Sequence, residues 1–420
     1  MAATLTESRP NLLYLVHRFP YPQDKGDRIR SFNVLKHLAL KAKVHLACLA
    51  DEPIRPEAQL AIQQYCEQLA IIRIGAWARK FRALAFFARG RTATEGAFHS
   101  PALKATLRAW ARETQFDAVL ASASSMVPYL QMEEFRSARA VVDLVDVDSQ
   151  KWLDYAAASR GPRRWFYNLE AQRLRRLERS LPATNQAVTL VSQAEADLYY
   201  EVCSGATAHS VPNGVNLAYF QPTLEESESS CVFIGALDYR PNIEGLCWFC
   251  DQVWPQIQRR RPDARFYIVG RKPVPVVRSL AAISGVIVVG QVSDVRPHLA
   301  RASVAVVPLR IARGIQNKIL EALAMGKATV ASPCCLQALG TRQGVHLLSA
   351  SSPQEWTTSI LRLLDDRELR NQLGSAGRQY VVQNHRWENC LRPLDGLLGL
   401  DVEATGGELY GKAARDTGKF

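Results

Sequence analysis

No apolar run in the 420 residues reaches the roughly 18 residues needed to cross a bilayer as a helix. Residues 1–10 also lack the apolar centre of an export signal, so the expectation is a cytoplasmic protein. Acidic residues are in deficit, 40 Asp and Glu against 52 Lys and Arg, a net charge of +12. That balance favours anionic partners: phosphorylated small molecules, nucleic acid or an anionic membrane surface. The basic excess gathers at residues 79–91 and 160–179, and neither stretch matches a nucleic-acid-binding module, so nucleic acid is not expected. The nine cysteines are odd in number and lack Cys-x-x-Cys pairs repeated at zinc spacing. Cys247 and Cys250 form one such pair in a helical, apolar context, which suits small buried thiols; the adjacent Cys334 and Cys335 invite the same reading. Gly26 follows the first strand pattern without a Gly-x-Gly-x-x-Gly context, which disfavours a dinucleotide oxidoreductase.

What is present is ordinary globular composition, 47% hydrophobic and 22% charged, in a chain long enough for two or three domains. The most informative segment is Arg313-Gly314-Ile315-Gln316-Asn317-Lys318-Ile319-Leu320-Glu321-Ala322-Leu323-Ala324-Met325-Gly326. A β-branched run at 304–308 precedes it and another at 328–331 follows, so it reads as strand, glycine-containing loop, helix and strand. Gly314 permits a close turn where free N–H groups and the helix dipole favour a phosphate. Lys318 and Glu321 are three apart and share a helix face. A cation and a carboxylate there suit a nucleotide diphosphate, the Glu accepting ribose hydroxyls. An ordinary crossover helix with a surface ion pair has the same pattern.

Strand patterns alternate with helical ones on both sides of a turn cluster. In the first half, strands are predicted at 12–16, 44–49, 118–121, 140–144 and 187–191. Helices are predicted at 31–40, 57–69, 101–112 and 163–181. In the second half, strands fall at 231–234, 266–269 and 286–289, with a helix at 243–259 and helical pattern over 353–387. This grammar predicts an α/β protein with two doubly wound, Rossmann-like domains facing a cleft. The polar stretch 222–230 reads as a linker. It divides an N-terminal domain, 1–222, from a C-terminal domain, 223–400, and 401–420 reads as a frayed tail.

Several motifs then occur in order. They are Val211-Pro212-Asn213-Gly214-Val215-Asn216, the stretch 233–242 (FIGALDYRPN), Ile268-Val269-Gly270-Arg271, the stretch 290–295 (GQVSDV) and 318–326 (KILEALAMG). In this the chain resembles a family 4 glycosyltransferase of the GT-B fold. The front end, 14–22 (YLVHRFPYP) with 25–31 (KGDRIRS), and the acidic stretch 142–149 (VDLVDVDS) extend the likeness. They resemble the sugar transferases found with bacterial exosortase and exopolysaccharide systems. The resemblance covers residues 11 to 400. It implies transfer of sugar from a nucleotide-diphosphate sugar with retention of configuration, normally without metal or any other cofactor. The N-terminal domain would bind a saccharide or lipid-linked acceptor and the C-terminal domain the donor.

The resemblance also assigns residues. Glu321 matches the ribose-contacting second Glu of the family's Glu-x7-Glu motif, and Gly26 matches the loop glycine near donor phosphates and acceptor. Three positions depart from the pattern. The first Glu of that motif is Arg313, the common Gly-Arg of the first C-domain loop is Gly235-Ala236, and a customary His is absent where Asp143 and Asp146 stand. Arg240 is then the nearest cation to the Gly235 loop.

The predicted donor set is Gly26, Gly235, Arg271, Arg313, Gly314, Ile315, Asn317, Lys318 and Glu321. Lys318, with Arg240, is assigned to charge developing on the leaving diphosphate. Asn317 either reaches donor hydroxyls or caps its helix. Asp146 is the first choice to orient or activate the acceptor hydroxyl, with His17 and then Asp143 as rivals. The acids at 143, 146 and 148 make a poor metal signal, and no metal is assigned. Catalysis is thus placed on Lys318, Glu321, Asp146 and Arg240. Two other functions compete: a sugar-nucleotide-binding protein without transfer activity, and a sugar-nucleotide epimerase of the same two-domain layout, which would need further catalytic acids in the C-terminal cleft. Finally, residues 77–91 combine Trp77, Phe81 and Leu84 at helical spacing with Arg79, Lys80, Arg82, Arg89 and Arg91. They read as a helix lying on an anionic membrane surface or packed on the N-terminal sheet.

Overall fold

The apolar, β-branched runs become parallel strands, most of them buried on both faces, as a sheet covered by crossover helices requires. The computed structural model describes residues 9–184, 186–223 and 228–401. Seven strands form the first sheet: β1 Asn11–Val16, β2 Lys43–Ala50, β3 Gln68–Arg73, β4 Ala118–Ser122, β5 Arg139–Val145, β6 Ala187–Leu190 and β7 His209–Ser210. Their order is β3-β2-β1-β4-β5-β6-β7, all pairings parallel. Six form the second: β8 Glu228–Ile234, β9 Arg265–Val269, β10 Val286–Gly290, β11 Ala302–Val307, β12 Ala328–Ala331 and β13 Leu348–Ser349, in the order β10-β9-β8-β11-β12-β13. These pairings are parallel too.

Each order reverses once, between β1 and β4 in the first sheet and between β8 and β11 in the second. In open α/β sheets a ligand crevice opens at such a reversal, outside the carboxyl ends of the strands. The loops after β8 and β11 are the ones the motifs occupy.

The first core is built on Leu13, Leu15, Leu49, Leu103, Tyr129, Val142 and Tyr199, all inaccessible or nearly so. The second is aromatic: Phe249 lies 5.0 Å from Phe266 and 5.6 Å from Trp356, and Trp254 lies 5.5 Å from Phe266, between ring centroids. The Trp254 indole donates to Ser284 O at 2.9 Å, so its polar edge is satisfied on burial.

Several boundaries differ from the sequence reading. The chain divides into two compact units at Pro212/Asn213, ten residues before the polar linker, and residues from Leu391 to Asp401 belong to the first unit. There the buried Asp395 carboxylate holds His37 Nε2 at 2.8 Å and Lys41 Nζ at 2.6 Å. Residues 224–227 of the linker and 402–420 of the tail lie outside the described residues. The helix expected over 57–69 stops early: helix Pro56–Gln63 is followed by strand β3. No glycine or proline punctuates 64–67, so the apolar pattern runs on through a change of period. The helix expected at 243–259 is two, Arg240–Gln252 and Trp254–Arg260, because Pro255 at the start of the second cannot continue the first. A helix Asp148–Ala157, not foreseen, pairs with helix Pro162–Ser180.

Candidate functional site

In the second unit, β11 delivers the chain to a loop and then to helix Asn317–Ala324. Gly314 turns this loop with φ +59°, a left-handed conformation that suits glycine. Ile315 is buried beside it, and the Gln316 side chain donates to Arg313 O at 2.9 Å, fixing the approach. The helix opens at Gln316 with no side-chain cap, so its first N–H groups remain open to an anion. The apolar face of Ile319, Leu320 and Leu323 is fully buried, which turns Lys318 and Glu321 toward the half-buried side.

Lys318 is held by residues within and after β8. Its Nζ donates to Asn242 Oδ1 at 2.8 Å and stands 5.1 Å from the centroid of the buried Phe233 ring, a cation–π distance. Asn242 in turn donates through Nδ2 to Ala236 O at 2.7 Å. Gly235 leaves room for this: a Cβ there would meet Asn242 Nδ2 at 3.0 Å. Gly270, at the end of β9, lies closer still, since a Cβ on it would fall 1.7 Å from Gly235 O. Leu237 N donates to Arg271 O at 2.9 Å, so Arg271 flanks the Gly235 loop. The two helices that diverge at the β8/β11 reversal are therefore bridged by one lysine–asparagine bond.

The electrostatics follow from burial. Desolvation lowers Lys318 to about 8, partly countered by Cys335 and Glu321. Desolvation raises Glu321 to about 7, with Lys318 pulling the other way. Both groups gain from an added partner that offers charge to the lysine and hydroxyls to the carboxyl.

Other donor candidates are placed as follows. Asn317 is the first residue of its helix rather than its cap, and its Oδ1 accepts from Asn213 Nδ2 at 3.0 Å. Asn213 O accepts from His385 Nδ1 at 2.8 Å. This ties the 211–216 motif to the same helix start. Arg240 is half exposed and its Nε donates to Glu244 Oε1 at 2.6 Å, so it sits in a surface ion pair with a carboxylate four residues on. Arg313 lies in the loop before the helix. Asn242 and Phe233 were not singled out from sequence, although both stand inside the quoted stretch 233–242.

In the first unit, Gly26 opens helix Gly26–Ala39, whose start also lacks a side-chain cap. Asp27 lies beside it, accepting from Arg18 Nη1 at 2.9 Å and 3.6 Å from His17 Nε2. Burial pushes the Asp27 carboxyl up, but His17 and Arg18 outweigh it and hold the group well below the usual carboxylate range. His17 packs edge-on against Phe98 at 5.5 Å.

Asp143, the last of the acceptor-side candidates, is engaged in a buried ion pair. Arg30 Nε and Nη2 donate to its two oxygens at 2.7 and 2.8 Å, and Thr189 Oγ1 donates to Oδ1 at 2.9 Å. Both charged side chains are 1% exposed, and Arg30 also donates to Val211 O at 2.9 Å. This carboxylate fastens the ends of β5 and β6 to the first helix. Sequence alone offered no sign of the partner, 113 positions away.

Asp146 is reached through strained backbone. Val145, the last residue of β5, has φ +70°, an outlier for a β-branched side chain, and such strain gathers at functional sites. The Asp146 amide donates to Leu144 O at 2.9 Å, while its Oδ1 is buried without a hydrogen-bond partner. Burial raises the carboxyl to about 7, Lys151 opposing and Glu195 and Asp148 adding to the shift. Asp148 instead accepts from Ser124 Oγ at 2.5 Å. Ala123, after the neighbouring β4, also has positive φ, +78°. Among the described residues no group of three or more His, Cys, Asp or Glu is arranged to hold a metal ion.

Residues 228–366 match the family described as Glycosyl transferases group 1. The fold is that of several solved structures. Sucrose-phosphate synthase from Thermosynechococcus elongatus aligns with a TM-score of 0.68 at 18% identity, over 93% of this chain and 98% of that one. HepE of Anabaena, solved with UDP and glucose, aligns at 0.64 and 13%, over 93% and 99%. WaaG, a glycosyltransferase involved in lipopolysaccharide biosynthesis, aligns at 0.65 and 12%, over 92% and 100%. No curated protein sequence matches the chain. The chain thus has the two-domain GT-B fold, and the match to the group 1 family lies within its second unit.

Proposed function

We propose that the chain is a retaining, metal-independent glycosyltransferase that takes a sugar from a nucleotide-diphosphate sugar. The observation that carries this reading is the Lys318–Asn242 bridge at the β8/β11 reversal, inside the group 1 domain. As the sugar bond breaks, negative charge collects on the leaving diphosphate. Lys318 and the open N–H groups of helix Asn317–Ala324 meet that charge, stabilising the transition state more than the bound donor. Glu321 accepts from the ribose, and Gly235, Arg271, Gly314 and Ile315 let backbone and guanidinium approach the phosphates. Asp146, raised to about 7 and lacking a hydrogen-bond partner at Oδ1, accepts the acceptor hydroxyl's hydrogen bond.

A nucleotide-sugar donor is supported by HepE, solved with UDP and glucose. WaaG, involved in lipopolysaccharide biosynthesis, supports a saccharide or lipid-linked acceptor in an exopolysaccharide or other cell-surface glycan, the setting of the exosortase-linked transferases that the sequence resembles. Such work is done in the cytoplasm, at the inner face of the membrane where the acceptor is lipid-borne. Arg313 at the usual acidic position favours one second reading, a sugar-nucleotide-binding protein without transfer. Proton NMR of purified protein with nucleotide-sugars and a glycolipid extract separates the two. A new glycosidic proton with the donor's anomeric configuration supports transfer; donor binding without release of nucleoside diphosphate supports the second reading.

A further inference from the structure

Helix Ala76–Ala88 presents Trp77 at 83% exposure, Phe81 at 78% and Leu84 at 67%. Spaced four and three apart, they form one stripe on the helix. A second helix, Pro162–Ser180, adds Trp165 at 64%. The two are clamped. Phe87, on the inner side of the first helix, lies 6.2 Å from the Trp165 ring and 4.6 Å from Phe166. Arg173 covers Phe87 at 4.2 Å and donates to Phe87 O and Arg91 O, both at 2.7 Å. The buried Glu170 carboxylate receives the Ala93 and Thr94 amides at 2.7 and 2.8 Å.

Charge within two segments here has one sign. Residues 76–91 contribute five cations and 157–169 three, with no carboxylate in either. Arg79 pairs with Asp51 and Arg91 with Glu95, while Lys80, Arg89, Arg160, Arg163 and Arg164 are exposed. Lys80 stands 5.1 Å over the Trp77 ring, so ring and cation are presented together. Exposed indoles flanked by ammonium and guanidinium groups match the chemistry of a headgroup boundary, where rings enter the acyl edge and cations meet phosphates. From this charge complementarity we infer that the paired helices form a docking surface for an anionic lipid bilayer. The sugar-transfer reading would use such a surface to reach a lipid-borne acceptor, but docking does not depend on it.

The test is co-sedimentation of the full chain with phosphatidylcholine vesicles containing phosphatidylglycerol, and with phosphatidylcholine alone, without nucleotide-sugar or acceptor. The expected result is binding to the anionic vesicles at low salt and loss with added salt. Lys80→Gln and Arg163→Gln each lower the partition coefficient by roughly fivefold, and Trp77→Ser with Phe81→Ser abolishes it. Because all four side chains are exposed, unchanged thermal unfolding confirms folded variants. The proposal is overturned if the unmodified protein stays in the supernatant at low salt, or if the variants bind as it does. It is equally overturned if the protein self-associates and Trp77→Ser with Phe81→Ser removes only that, assigning the face to a second copy. Donor titration on the same samples reports on sugar transfer separately.

Discussion

Lys318 Nζ and Asn242 Oδ1 are 2.8 Å apart, joining two helices through residues 76 positions from one another. The bond fixes the ammonium over Phe233 and ties it to the Gly235 loop through Ala236 O, so Asn242 acts by positioning Lys318. Asn242→Ala removes a hydrogen bond to a charged group, about 1.5–3 kcal/mol, and is expected to lower kcat/KM by about ten- to a hundredfold. Asn242→Asp keeps the contact and adds a carboxylate, so the alkaline limb of the pH–rate profile moves to higher pH. A merely structural asparagine would lower activity in both variants and leave that limb in place.

Lys318 and Glu321 should fail differently. Glu321→Gln mainly raises the donor KM, since ribose contacts exist in both ground and transition states. Lys318→Ala lowers kcat by roughly ten- to a thousandfold through lost electrostatic stabilisation. Steady-state kinetics on folded variants distinguish the two, and unchanged kcat in Lys318→Ala removes that residue from the mechanism.

The pH profile follows from two partly buried groups. Asp146 must be ionised to receive the acceptor's proton, so activity rises as pH passes about 7. Lys318 must be protonated to meet the phosphate, so activity falls as pH passes about 8. A narrow bell in kcat/KM is expected, and Asp146→Asn should remove most of the rate. A flat profile from pH 6 to 9 in the unmodified enzyme contradicts both assignments.

The strand runs and the Lys318 segment were legible in the sequence because local chemistry specifies them. Val304 to Val307 is apolar and β-branched at three of its four positions, and Lys318 and Glu321 share a face by spacing alone. β3 was hidden because no turn residue interrupts Tyr65, Cys66 and Glu67. Asn242's hold on Lys318 and Arg30's on Asp143 join positions far apart in the chain, which periodicity cannot register. The positive φ of Val145 was illegible for another reason: valine is a poor residue for it, so composition argues against what the fold imposes.

Asp143 tests the structural side of that division. Asp143→Ala leaves Arg30 charged and buried without its main partner, and breaking such a pair costs about 3–5 kcal/mol. Urea unfolding should show a loss of that order with the slope unchanged. Donor affinity of the protein that remains folded should stay as in the unmodified chain; a stable variant that has lost only acceptor use would return Asp143 to the chemistry.

Turnover is also expected to survive chelation, since Lys318 and helix N–H groups neutralise the diphosphate. If EDTA abolishes activity and magnesium or manganese restores it, the acids at 143–148 become candidate ligands.

The most direct measurement is calorimetric titration of a panel of nucleoside diphosphates into the unmodified protein and Lys318→Ala. The account predicts saturable binding of at least one nucleotide at neutral pH, weakened at least tenfold in the variant and weakening in the unmodified protein as pH rises through about 8. Equal affinity in both proteins, or no binding by any nucleotide to folded unmodified protein, would contradict it.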